Sequence, residues 1–208
     1  MTTSLLRRTG AVAALSLTLG MSLAACGTSS DGATKPAKAD ASASATADAP
    51  MNAGADTFGP GCKLIPQDGK GSFNGMASDP VATAASNNPL LTTLVSAVGQ
   101  AGLADTLNSA DALTVFAPTD DAFAKIPSDS LKGILANKQQ LTTILTHHVV
   151  AGKLSPDQLP GTHKTLAGDT ITVTGSGERY QVGDAKVLCG NIPTANATVY
   201  VIDTVLVP

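Results

Sequence analysis

The chain has no tryptophan, two tyrosines and four phenylalanines in 208 residues. It therefore lacks the flat aromatic platforms on which nucleobases and sugar rings stack. Three histidines and three cysteines are little material for a metal centre. His147 and His148 are adjacent, so their side chains diverge on a helix and oppose each other on a strand. They do not share an ion, and zinc would need further ligands at compatible spacing. The sequence contains no C-x-x-C pair, no G-x-x-x-x-G-K phosphate loop, no G-x-G-x-x-G fingerprint, no G-x-S-x-G elbow and no calcium loop around Asp120-Asp121. Neither a metal nor a cofactor is expected, and the chain is not expected to be an enzyme.

A long apolar run is also missing. The uncharged stretch near the start, 9–25, is diluted by Thr9, Gly10, Ser16, Thr18, Gly20 and Ser22, whereas a membrane span needs about 20 predominantly apolar residues. With Arg7 and Arg8 before it, the stretch reads as a signal peptide over 1–25, and the arginine pair is compatible with either general or twin-arginine export. The leader ends in Leu23-Ala24-Ala25-Cys26, which resembles the bacterial lipobox. There the cysteine thiol is acylated and becomes the first residue of the mature chain. Cys26 is thus the expected lipidation site and the membrane the first expected partner, with the chain held on the extracytoplasmic face of the cell membrane.

Residues 26–58 have little to bury. They are dominated by Ala, Ser, Thr, Asp, Gly and Pro and read as a tether, reaching roughly 30 Å if flexible. Loss of Arg7 and Arg8 with the leader leaves a mature net charge of −5, so no nucleic-acid partner is expected. Assigning Cys26 to lipid leaves Cys62 and Cys189, either as a disulfide or as two free thiols.

Residues 59–208 have the length of one domain. Its first half has helical periodicity. Asp79-Pro80 reads as N-cap and first helical residue of a helix, and Leu90, Leu91, Leu94, Val95 and Val98 form one apolar stripe ended by Gly99 or Gly102. A short buried strand, Leu113 to Phe116, stops at Pro118. Thr119 or Asp120 caps a short helix burying Phe123 and Ile126, and two further helices turn Leu131, Ile134, Leu135, Leu141, Ile144 and Leu145 inward. Ser155-Pro156 opens a single helical turn. In the second half, β-branched runs separated by turns predict strands at 163–166, 170–174, 180–182, 186–188, 198–202 and 204–207. Helices segregated from a mainly antiparallel sheet make an α+β domain.

The blocks "LTVFAPTDDAFAKIP", "LTTILTHHVVAGKL" and "VYVIDTVLVP" resemble the fasciclin (FAS1) family in order and spacing. "GPGC", "MASDPVATAASNNPLLTTL" and "CGNIPTANATVYVIDTVLVP" are similar to its mycobacterial secreted immunogenic members and their lipoprotein relative. The resemblance implies a wedge of short, mainly antiparallel strands flanked by short helices, and a disulfide between Cys62 and Cys189. It also implies adhesive or extracellular contacts with a protein or envelope polymer.

The implied interaction candidates are Thr119, Asp120 and Phe123 of the first block and His147 and His148 of the second. His147 stands where the family usually carries tyrosine, which bears on receptor specificity. His148 is expected to donate from one ring nitrogen to a backbone carbonyl of the first block and to accept at the other. The alternative to an adhesive module is an envelope carrier of a lipid or small apolar ligand between helices and sheet.

Overall fold

A computed structural model describes residues 52–208; the expected leader, Cys26 and the tether as far as residue 51 lie outside the described residues. Leu113–Pro118 (β1) and Ala197–Ile202 (β7) are buried at every position, a state strands reach only with both faces covered. They run side by side in parallel, Leu113 opposite Ala197 and Pro118 opposite Ile202. Alternation then divides their side chains between two cores. Leu113, Val115, Ala117, Val199 and Val201 face one, and Phe116, Tyr200 and Ile202 face the other.

Val149–Ala151 (β2), Gly161–Lys164 (β3), Thr170–Ser176 (β4), Arg179–Val182 (β5) and Ala185–Pro193 (β6) complete a seven-stranded sheet of order β2-β1-β7-β6-β5-β4-β3. Every neighbouring pair but β1–β7 is antiparallel. The sheet curls until its ends meet: Val150 bridges to Thr165, and the Leu166 N–H donates to the Val149 carbonyl at 2.8 Å. The barrel-like interior holds the second core, including Val173, Val182 and Tyr200. The Tyr200 hydroxyl donates to the Leu154 carbonyl at 2.8 Å, and burial pushes its pKa up.

Seven short helices cover the other core: Phe73–Ala77 (α1), Val81–Ser86 (α2), Thr92–Ala101 (α3), Ala104–Ser109 (α4), Asp120–Ala124 (α5), Ser128–Ala136 (α6) and Lys138–His147 (α7). Gly102, at φ 73°, closes α3 in the left-handed conformation that glycine adopts without cost. The domain is α+β, as the sequence predicts, with four local differences. Asp79 does not cap α2. Pro80 holds the N-cap position without a side-chain bond, and the cap comes from Asn196, whose Oδ1 accepts the Val81 N–H at 2.8 Å. The predicted strand at 204–207 is absent, because Asp203 Oδ1 takes the Lys186 N–H and the Leu206 N–H goes to an imidazole rather than to a ladder. The strand predicted at 163–166 is Gly161–Lys164, and Thr165 and Leu166 turn back onto β2. Finally, α1, α4 and β2 are elements that the sequence pattern does not predict.

Phe58, which composition puts last in the tether, is integrated into the fold. Its N–H and C=O both pair with Gly190, and its ring centroid lies 5.2 Å from that of Tyr180. A Cβ on Gly190 would stand 2.3 Å from this ring, so the aromatic stack requires glycine there. Next to it Asn191, at φ 58°, absorbs the irregularity between Cys189 and Ile192 in a conformation asparagine tolerates. Its amide reaches the Asp56 carbonyl at 3.1 Å.

Cys62 and Cys189 form a disulfide, Cα–Cα 4.8 Å, across 127 residues of sequence. The bond ties the helical turn Pro60–Leu64 to β6. The loop-entropy account gives a bridge of this span about 5 kcal/mol as an upper value. Urea denaturation of the Cys62→Ser/Cys189→Ser variant should therefore show a large loss of stability, matched by the wild type in reductant; an unchanged midpoint would refute the assignment.

Candidate functional site

β1 ends at Pro118, and the next three residues divide the work of the first block. The Thr119 N–H donates to the Ile202 carbonyl, and its Oγ1 accepts the Ala122 N–H at 3.2 Å, capping α5. Asp120 serves a different helix. Its Oδ1 accepts the Thr93 N–H at 2.7 Å and its Oδ2 the Thr92 hydroxyl at 2.6 Å, capping α3, whose own N-cap residue Leu91 has no side chain to offer. Partial burial raises the Asp120 pKa, but the bonds from Thr92 and Thr93 outweigh it and hold the carboxyl below its ordinary value. Phe123 is buried in the helix-side core, while Asp121 is exposed.

The second block behaves similarly. His148 is buried, and its Nε2 lies 2.9 Å from the Leu206 N–H. A backbone amide can only donate, so Nε2 accepts and the proton sits on Nδ1, which donates to the Ile144 carbonyl at 2.8 Å. The carbonyl is one turn back on α7, not in the first block as expected; the first block's link to His148 is instead the Phe116 N–H, which donates to the His148 carbonyl at 2.9 Å. His147 points elsewhere: its Nδ1 lies 2.7 Å from Asp169 Oδ2, and Asp169 Oδ1 also accepts the Thr165 hydroxyl. The two rings are edge-on, centroids 6.4 Å apart. His163 donates from Nε2 to the Leu159 carbonyl at 2.7 Å. Among the described residues no three His, Cys, Asp or Glu side chains gather where they could hold a metal ion.

Thr119, Phe123, His147 and His148 are all buried, so they shape a surface rather than present one. Phe123 and His148 line the same residual void of about 10 Å³. The surface beside the first block belongs partly to a residue that sequence reasoning misses. Leu64, 59% exposed, closes the turn that the disulfide pins. It lines a shallow hollow of about 120 Å³ with Pro89, Leu90, Leu188, Asp120 and Asp121. Its one sequence signal is an apolar residue two positions after a bridged cysteine. His147 and Asp169 line a different groove, with Thr170, Asp184 and Val207, so the two blocks do not build one site.

Burial lowers the His148 pKa from 6.5 to about 4, outweighing the bond to the Ile144 carbonyl, which raises it, with a smaller lowering from the neighbouring His147. The folded state thus resists protonation that the unfolded chain accepts. Stability from the neutral ring is complete above pH 6.5 and is lost as pH falls from 6.5 toward 4, by about 3 kcal/mol. Denaturation curves at pH 7, 5.5 and 4.5 should show this slope in the wild type and its loss in His148→Leu. The lowered carboxyl groups of Asp120, Asp169 and Asp203 act only further into acid.

A model of the fasciclin domain matches residues 89–208. Over 184 residues the chain is 50% identical to the immunogenic protein MPB70 of Mycobacterium bovis, covering 85% of this chain and 95% of that one. It is 46% identical over 188 residues to the cell surface glycolipoprotein MPB83 of the same species, covering 86% and 84%. A FAS1 domain pair from the insect cell adhesion molecule Fasciclin I aligns at 21% identity with a TM-score of 0.47, covering 56% of this chain and 45% of that one. With the family model spanning more than half of its length and a half-identical relative matched almost end to end, the chain belongs to the fasciclin domain family.

Proposed function

We propose that this chain is a lipid-anchored, surface-displayed fasciclin module that makes non-catalytic adhesive contacts with a protein or polymer of the cell envelope. The observation that carries the reading is Leu64. A large aliphatic side chain is held in solvent on a turn fixed by Cys62–Cys189, beside Leu90, Leu188 and the carboxylates of Asp120 and Asp121. An apolar centre with a charged rim is the anatomy of an interface, and a rigid turn loses little entropy on docking. The patch is small, so single contacts are weak. Display of many copies on one membrane compensates, since multivalency raises avidity by roughly 10² to 10⁴.

Anchoring rests on Leu23-Ala24-Ala25-Cys26 and is supported by the similarity to a protein described as a cell surface glycolipoprotein. The place of action is accordingly the outer side of the cell membrane. The Cys62–Cys189 bridge is consistent with such an oxidising compartment.

Native chain should partition into the detergent phase and carry an acyl mass on Cys26, and Cys26→Ser should release it into the aqueous phase; an aqueous wild type would end the anchoring part. Separately, the full chain should bind envelope extract saturably. Leu64→Asp and Asp121→Lys, both at exposed positions, should weaken that binding about tenfold without moving the thermal midpoint. Binding indifferent to both substitutions would remove this surface from the reading.

A further inference from the structure

A second hollow, with an almost wholly apolar lining, is not on the Leu64 surface. It lies between α2, α3, α4 and the edge of the sheet, and has a volume of about 310 Å³. Ala85, Val95, Val98, Leu103, Leu107 and Leu166 contribute to its wall. For scale, an apolar cavity of roughly 150 Å³ takes up benzene, and small-molecule sites begin at about 300 Å³.

Apart from the exposed Thr106 hydroxyl, the wall's polar side chains are engaged by the protein itself. Asn108 Oδ1 accepts the Ala82 N–H and its amide donates to Thr83. Ser86 donates to the Thr83 carbonyl and Thr146 to the Thr142 carbonyl. Both ring nitrogens of His148 are engaged. Among the described residues no charged side chain lines the space, so a polar guest would lose its hydration and gain few partners. Only a hydrocarbon gains by entering.

The outer wall is built for such a guest. α4 has no buried residue; Leu103 and Leu107 are only half buried although they pack toward the helix-side core. The helix is nonetheless held in place, because the Asn196 amide donates to the Leu107 and Ala110 carbonyls at 2.8 Å each. The apolar surface of α4 thus faces space that the described residues do not fill. Leu166, at the same hollow, is 45% exposed and extends the apolar wall to solvent. Among the described residues a cation stands near this wall. Lys138 Nζ lies 3.7 Å from where a Cβ on Gly102 would be, next in sequence to the wall residue Leu103.

We infer that this hollow binds the hydrocarbon chain of a free fatty acid, tail between α2, α3 and α4, carboxylate toward Lys138. The inference is independent of the Leu64 surface. It needs neither an adhesive partner nor the lipid anchor, so each can fail without the other.

The test is titration of carboxyl-¹³C decanoate into the full chain, followed by NMR. The expected result is one saturable site per chain with a shifted carboxyl resonance. Ala104→Phe, which fills the hollow from α4, should weaken binding by about tenfold or more with unfolding still cooperative. Leu166→Ala, which trims an exposed side chain and keeps the backbone N–H that bonds Val149, should weaken it several-fold. Lys138→Ala should cost decanoate about threefold and leave decanol unaffected. Absence of saturable binding, affinity unchanged in both Ala104→Phe and Leu166→Ala, or a stoichiometry requiring two chains would overturn the site. Equal loss of decanol and decanoate in Lys138→Ala, or removal of intact phospholipid from phosphatidylglycerol vesicles in preference to decanoate, would overturn the assignment of the carboxylate head.

Discussion

Two helices of the helical layer, α2 and α3, depend on caps delivered from elsewhere in the chain. α2 has six residues and α3 ten, both shorter than the length at which an isolated helix holds in water. Neither carries its own N-cap side chain. The amides at the start of α2 are met by Asn196, from the turn between β6 and β7, and by Asn108, beyond α3. Those at the start of α3 are met by Asp120, the first residue of α5. An unmet buried N–H costs about 1 to 3 kcal/mol, so these helices are secured only when the sheet is already assembled. Local helix and global fold form together, the behaviour of a consistent sequence.

This dependence explains which elements are legible in the sequence and which are not. β1 and α5 to α7 are legible because their signals are local: a β-branched run stopped by Pro118, a Thr119 cap, and apolar residues at helical spacing. α4 is illegible because its stability comes from the Asn196 amide rather than from an apolar stripe. The start of α2 is misassigned for the same reason, since Asp79-Pro80 is a good local cap signal overruled by a distant asparagine. The absent terminal strand is the converse case. Thr204 to Val207 has strand composition, yet the Leu206 N–H has a better acceptor in His148.

The candidate residues divide along similar lines. Asp120 is legible as a capping carboxylate, although its helix is α3 and not α5. The structural part of His148 follows from a histidine's two nitrogens, but its partners lie in its own helix and in the C-terminal segment. Leu64 and the α4 hollow leave almost no trace in the sequence, because exposure and unfilled volume are properties of packing. The family resemblance supplies the pairing of Cys62 with Cys189, which cysteine counting alone leaves open.

Asn196 carries one further consequence. Asn196-Ala-Thr198 is an acceptor sequence for N-linked glycan, yet the amide nitrogen that a sugar would occupy gives its hydrogens to Leu107 and Ala110. An oligosaccharide there would leave one hydrogen where two are used, and would place a bulky polar group against the seam between α2 and α4. Eukaryotic secretory expression of this chain therefore sets glycosylation and folding in competition for one nitrogen atom, a conflict that bacterial hosts lacking the transferase never meet.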